Sequence, residues 1–195
     1  MFLKRSNIQY IVAGLGNPGR RYEQTRHNVG FWMLDALAER AGVRVSRNRF
    51  QSLCADAVIS GSRVLLMKPM TFMNLSGRAL AEAARFYRVD AEHILILCDD
   101  VSLAPGVVRI RSNGSSGGHN GLRSISDVLG TDDFARIRIG VGDKTHDEMD
   151  LADWVTGKPQ RQDLDAILSR RDDICEAVKL IVEGRLDLAQ SCYNR

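Results

Sequence analysis

The stretch His93–Cys98 (HILILC) is apolar after its first residue, does not alternate, and is too short for a helix of ordinary length. Such a run is the pattern of a β-strand buried on both faces, which arises where helices cover a sheet from two sides. The neighbouring segments agree. Ile8–Ala13 (IQYIVA) and Arg63–Met67 (RVLLM) read as further strands, while Val107–Ser112 (VVRIRS) and Ala135–Val141 (ARIRIGV) alternate as half-buried ones do. Helix signals lie between them. Asn28 can cap a helix carrying Val29, Trp32, Met33, Ala36 and Leu37, with Gly42 as its stop. Asn74 or Ser76 can cap an alanine-rich helix reaching about Arg88, and the glycine-rich loop Gly114–Gly121 opens a helix ending at Gly130. Asp163 is expected to cap a last helix to about Glu183, stopped by Gly184; Gly142–Gln160 carries only loop signals around Trp154. Strands interleaved with helices predict an α/β protein with one sheet covered on both faces.

At 195 residues the chain suits one ordinary domain, 1–195, and no linker or internal repeat divides it. The balance of 44% hydrophobic and 26% charged residues excludes disorder as the dominant state. Against 27 Lys and Arg stand 24 Asp and Glu, a net charge of +3, so any nucleic-acid contact must come from a local patch. No apolar run approaches the roughly 20 residues of a membrane span. The opening MFLKRSNIQYIVAGLG has no apolar stretch ending in a small-residue cleavage site, so neither membrane nor leader is expected. Cys54, Cys98, Cys175 and Cys192 form no CxxC pair and have no histidine at metal-ligand spacing; reduced thiols in a cytoplasmic protein are expected.

Two motifs invite misreading. Gly14–Gly19 (GLGNPG) fits the dinucleotide fingerprint after a strand, but Pro18 and the following RRYEQTRHN provide no amphipathic helix on which a pyrophosphate could sit. A turn presenting Asn17 at the sheet edge is the better reading. Gly114–Gly118 (GSSGG) fits the nucleophile elbow, which would make Ser116 a serine-esterase nucleophile with His119 or His146 as its base. The alternative is a flexible glycine-rich loop suited to polar ligands.

Three other stretches combine more productively. Asn17 with Tyr22, His27 and Asn28, then Met70–Gly77 (MTFMNLSG), then Gly117–Gly121 (GGHNG) each supply an amide or an imidazole from a loop or helix start. Asp99 follows the buried strand directly, at the strand end where open α/β sheets place their ligands. Histidine, aspartate and three asparagines on successive loops of one sheet form a hydrolytic set without metal or covalent nucleophile.

The stretches GLGNPGRRYEQTRHNVGF, KPMTFMNLSG, LCDDVSLAPG, GGHNGLRSI and RIRIGVG, in this order and spacing, resemble the bacterial peptidyl-tRNA hydrolase family from about Ile11 to Pro159. The resemblance implies a single α/β domain with a mixed twisted sheet flanked by helices. It also implies an esterase that cleaves a peptide from the 3′-terminal ribose of tRNA. By that resemblance His27 is the catalytic base and Asp99 its carboxylate partner. Asn17, Asn74 and Asn120 bind substrate, Tyr22, Met73 and His119 occupy neighbouring positions of the cleft, and Arg111 and Arg138 clamp the tRNA 5′-phosphate. Cys98 stands where the family commonly has His, and Asp100 and Ser102 replace a more frequent Glu and Asp.

Chemically, an imidazole is poised near neutral pH to deprotonate water, and a carboxylate on its other nitrogen fixes the tautomer. Asparagine amides can receive the developing oxyanion. No metal or cofactor is needed, and a monomer acting on peptidyl-tRNA is expected. A non-catalytic RNA-binding relative, of the kind used as plant-organelle splicing cofactors, is the alternative. Arg109, Arg111, Arg136 and Arg138 alternate along two strands, so each pair shares a face.

Overall fold

The computed structural model describes residues 7–144 and 148–195. Seven strands form one sheet in the order β2-β3-β4-β1-β5-β7-β6. The strands are β1 (Tyr10–Gly14), β2 (Arg47–Arg49), β3 (Ser52–Ile59), β4 (Ser62–Pro69), β5 (Ile94–Asp100), β6 (Val108–Arg111) and β7 (Ala135–Gly140). The central β4, β1, β5 and β7 run parallel, while β2, β3 and β6 pair antiparallel at the two sides, so the sheet is mixed as expected. Every residue of β5 is buried, which is what its uninterrupted apolar run required.

Side chains alternate across the sheet and build two cores. Val12, Leu66, Leu95 and Leu97 pack with α1 (Val29–Arg40), α5 (Arg161–Leu168), α6 (Arg171–Val182) and α7 (Leu186–Tyr193). Ile11, Leu65, Ile96 and Cys98 face the other way, against α2 (Ser76–Tyr87) and α3 (Asn120–Leu129). From β1 the chain passes out to β4 on one side and returns to β5 on the other. The C-terminal end of β1 is therefore the topological switch point, where such sheets open a crevice.

The structure departs from the sequence reading at five points. Residues 47–59 form a hairpin whose turn, Phe50 and Gln51, has φ of 53° and 50° without the Asn-Gly signal such turns usually carry. Within Gly142–Gln160 a short helix, α4 (Leu151–Thr156), is capped by Asp150, whose side chain accepts from the Ala152 N–H. The helix expected from Asp163 to Glu183 is two, because Ser169 and Arg170 interrupt it and Asp172 and Asp173 begin a new first turn, the acid-rich start a helix favours. Beyond Gly184, in the left-handed region at φ 76°, the chain adds α7. Asn28 precedes α1, but its side chain caps nothing in that helix.

Gly14 of the fingerprint and Gly30 of α1 serve packing. A Cβ on Gly14 would lie 2.3 Å from the Gly30 carbonyl oxygen, and one on Gly30 equally close to that of Leu97. These contacts press the start of α1 onto β1 and β5 and fix the turn that carries His27. All four cysteines are free thiols, and three of them are buried. No helix among the described residues is long and apolar enough to cross a membrane.

Candidate active site

His27 lies in a single 3-10 turn, Arg26–Asn28, between β1 and α1, and Asp99 is the penultimate residue of β5. Both are buried, and the His27 ring Nδ1 is 2.8 and 3.0 Å from the two Asp99 oxygens. A second imidazole reaches the same carboxylate, with His119 Nε2 at 3.0 Å from Oδ1. Burial alone would push the Asp99 carboxyl up; its interactions with His27 and His119 outweigh burial and hold Asp99 well below the usual carboxylate range. An ionised carboxylate only accepts, so His27 Nδ1 carries the hydrogen. The lone pair of His27 is thereby placed on Nε2, which has no partner among the described residues.

The facing ring nitrogens of His27 and His119 and the Asp99 carboxylate oxygen lie within 4.8 Å of one another. Each is already engaged in a hydrogen bond within the trio, the arrangement of a proton network.

Asn17 follows β1 and is held on both sides. Its backbone N–H donates to Asn28 Oδ1 at 2.8 Å, and Asn28 Nδ2 donates back to the Asn17 carbonyl at 3.0 Å. The Asn17 Oδ1 accepts from the Met73 N–H at 2.9 Å, which commits the oxygen and leaves Nδ2 as a donor without a partner among the described residues. Asn28 is therefore a clamp on Asn17 rather than a helix cap. Its spacing from Asn17 carried no signal of that bond, because only the folded turn brings the two together.

Met73 is buried in the short turn Met73–Leu75, and Asn74 beside it is exposed. Asn120 opens α3, exposed and lining the cavity, one residue after His119. Tyr22 is half-buried in the outer turn after β1, under the Arg21 guanidinium, and does not line the cavity.

The cavity over the dyad has a volume of about 220 Å³. His27, Asp99 and His119 form one wall, Asn120 and Arg138 another, and Leu151, Ala152 and Val155 of α4 supply an apolar wall that sequence reasoning missed. Asp150 followed three positions later by Asp153 in the first turn was the available signal. Arg26 fastens this helix beside the dyad, since its guanidinium lies 3.5 Å from the centre of the Trp154 ring.

The two arginine pairs share one face. Arg109 lies opposite Arg138 and Arg111 opposite Arg136, while Val108, Ile110, Ile137 and Ile139 point into the core on the other side. Arg136 is buried and spent on the backbone: it bonds the carbonyls of Phe134, Asp132 and Gly114 and thereby ties down the glycine-rich loop. Arg138 lines the cavity with its Nε 3.0 Å from Asp100 Oδ2. Arg111 is exposed outside the cavity, one diagonal step from Arg138, about 7–8 Å in such a ladder. Asp100 also accepts from both the N–H and the hydroxyl of Ser102, so the two unusual residues satisfy each other.

Ser116 is half-buried, does not line the cavity, and its hydroxyl has no partner among the described residues. The His119 ring is turned away to Asp99, and His146 lies outside the described residues. Among the described residues no base faces Ser116, and the serine elbow is not assembled there.

An α/β sheet with an imidazole–carboxylate pair at its switch point carries the groups that hydrolytic chemistry needs. A family model described as Peptidyl-tRNA hydrolase matches residues 11–195. The chain is 44% identical over 186 residues to the peptidyl-tRNA hydrolase of Agathobacter rectalis, covering 95% of this chain and all of that one. It is 45% identical over 185 residues to that of Caldanaerobacter subterraneus subsp. tengcongensis, covering 95% and 99%. The crystal structure of peptidyl-tRNA hydrolase from Acinetobacter baumannii superposes with a TM-score of 0.90 at 37% identity, covering 97% of this chain and 95% of that one. The chain belongs to the peptidyl-tRNA hydrolase family, and as such is an enzyme that hydrolyses ester bonds.

Proposed function

We propose that the protein hydrolyses the ester joining a peptide, or an N-blocked aminoacyl group, to the 3′-terminal ribose of tRNA. One observation carries the reading: the His27–Asp99 hydrogen bond leaves His27 Nε2 as a lone-pair nitrogen in the cavity wall. Nε2 takes a proton from water as its oxygen attacks the ester carbonyl. Asp99 steadies the imidazolium that forms, as in a triad whose serine is replaced by water. The Nδ2 of Asn17, with Asn74 on the neighbouring turn, donates to the carbonyl oxygen as it becomes an anion, worth about 3–4 kcal/mol per well-placed donor. When the tetrahedral intermediate collapses, the ribose oxygen leaves and receives the proton from imidazolium, so the base is regenerated.

Asn120 orients the peptide through its backbone, with Met73 and Tyr22 beside it and His119 behind Asp99. Arg111 and Arg138 receive the tRNA 5′-phosphate, with Arg138 giving up part of its ion pair with Asp100 for it. The reaction uses no metal or cofactor, and the protein acts as a monomer of one domain in the cytoplasm. Turnover of N-acetyl-aminoacyl-tRNA by purified protein tests the proposal. Release of free tRNA supports it; tight tRNA binding without turnover would favour a binding-only relative.

A further inference from the structure

We infer that His119 is a positioning residue locked in one tautomer, capping α3 with one ring nitrogen and holding Asp99 with the other, without touching substrate. The Nδ1 of His119 accepts from the backbone N–H groups of Gly121 and Leu122 at 3.1 and 3.2 Å. These are the second and third residues of α3, the donors that an N-cap side chain normally receives. A backbone N–H can only donate, so Nδ1 bears a lone pair and the single hydrogen of the neutral ring sits on Nε2. Nε2–H then donates to Asp99 Oδ1. Both nitrogens are occupied and the residue is buried, so no ring atom remains to hydrogen-bond an ester or an amide. A second proton, on Nδ1, would point at two N–H groups and undo the cap.

The consequence lies at the base. Asp99 Oδ1 is shared between His27 Nδ1–H and His119 Nε2–H. A carboxylate that already receives a fixed N–H has less negative charge to offer the imidazolium of His27. The other charged groups nearby are Asp100 on β5, Arg138 on β7 and Asp150 before α4, which all line the same cavity. Asp100 and Arg138 neutralise each other at 3.0 Å. Asp150 is engaged as the cap of α4, and His119 is the uncharged group that shares Asp99 with His27. This inference rests on the His27–Asp99 reading and deepens it.

Two measurements test it. In the full-length wild type, ¹⁵N NMR of the His119 ring near neutral pH should show a protonated Nε2 and a bare Nδ1, without any substrate. A bare Nε2, or a doubly protonated ring, would overturn the inference whatever the activity. His119→Ser keeps a capping oxygen for α3 but cannot reach Asp99. With peptidyl-tRNA it should lower kcat about tenfold, the cost of one hydrogen bond to a charged group, and leave KM within about twofold. The midpoint of its kcat–pH profile should move upward, because Asp99 then faces His27 with undivided charge. A raised KM with an unmoved midpoint would make His119 a substrate contact and overturn the inference. Should His27→Ala retain activity instead, the base reading fails while the NMR result still decides the tautomer.

Discussion

The floor and the rim of the cavity are built on opposite principles. On the floor, His27, Asp99 and His119 are buried, and their ring nitrogens and carboxylate are held by another member or by the backbone, with His27 Nε2 alone left open to the cavity among the described residues. On the rim and just outside it, Asn74, Asn120 and Arg111 are exposed, and among the described residues Arg111 donates only to the carbonyl of its own neighbour, Ile110. A fully satisfied buried network is rigid and holds proton positions fixed; exposed groups without firm partners are free to take up a ligand. The difference separates two tasks. Groups that act on water as the transition state forms must be set in place beforehand, whereas groups that meet a large and varied substrate gain from staying available. Arg138 stands at the boundary, half committed to Asp100 and half open to the cavity.

The largest test of this division is His27→Ala. A general base contributes about 10²–10⁴-fold, so kcat should fall by at least that range while tRNA binding, spread over rim groups, stays nearly intact. A variant that keeps more than about a tenth of wild-type kcat would remove His27 from the role of base.

Rim substitutions should be milder and of another kind. Arg111→Ala should raise KM for peptidyl-tRNA by about tenfold, flatten its salt dependence by about one phosphate contact, and leave kcat unchanged. Arg138→Ala should do the same with a stability loss added, since it strips Asp100 of its cation. A minimal ester lacking the 5′-phosphate should hardly distinguish either variant from wild type. Equal losses on both substrates would take the arginines out of the clamp.

The smallest effect belongs to Ser116→Ala. The hydroxyl has no partner among the described residues, so activity should stay within about twofold, the neutral range for surface changes. Serine-directed phosphonates should leave the protein unlabelled, and a stoichiometric adduct on Ser116 would replace the water mechanism by an acyl-enzyme.

The same division explains what could be read from the chain. Elements whose cause is local were legible: the apolar run of β5, the alternation of β6 and β7, and the glycine stop of α3 at Gly130, which sits at φ 70°. The β2–β3 hairpin was hidden because Phe50 and Gln51 adopt left-handed turn geometry that neither residue type announces. Helix α4 has six residues, too few for a periodicity to appear. Asn17 and Asp99 could be read as polar residues following or ending strands, and His27 as one in the loop before a helix. Their partners could not be, because Asn28 holding Asn17 and His119 capping α3 while binding Asp99 are products of three-dimensional placement. The arginine stripe was half legible: strand alternation paired the residues, but only the antiparallel register put both pairs on one face and buried Arg136.

In the proposed mechanism Asp99 acts on the reaction through the charge it presents to His27. The most direct measurement is the kcat–pH profile of wild type beside Asp99→Asn. The wild-type profile should rise with pH through one ionisation, since only neutral imidazole can accept the proton. Asp99 is held well below the usual carboxylate range and stays ionised throughout that rise, so it adds no second step. In Asp99→Asn, kcat should fall less than in His27→Ala, and the midpoint should move to lower pH, because losing a nearby negative charge disfavours imidazolium. A lower kcat with the midpoint unmoved, or moved upward, would contradict the coupling and with it the account of the site.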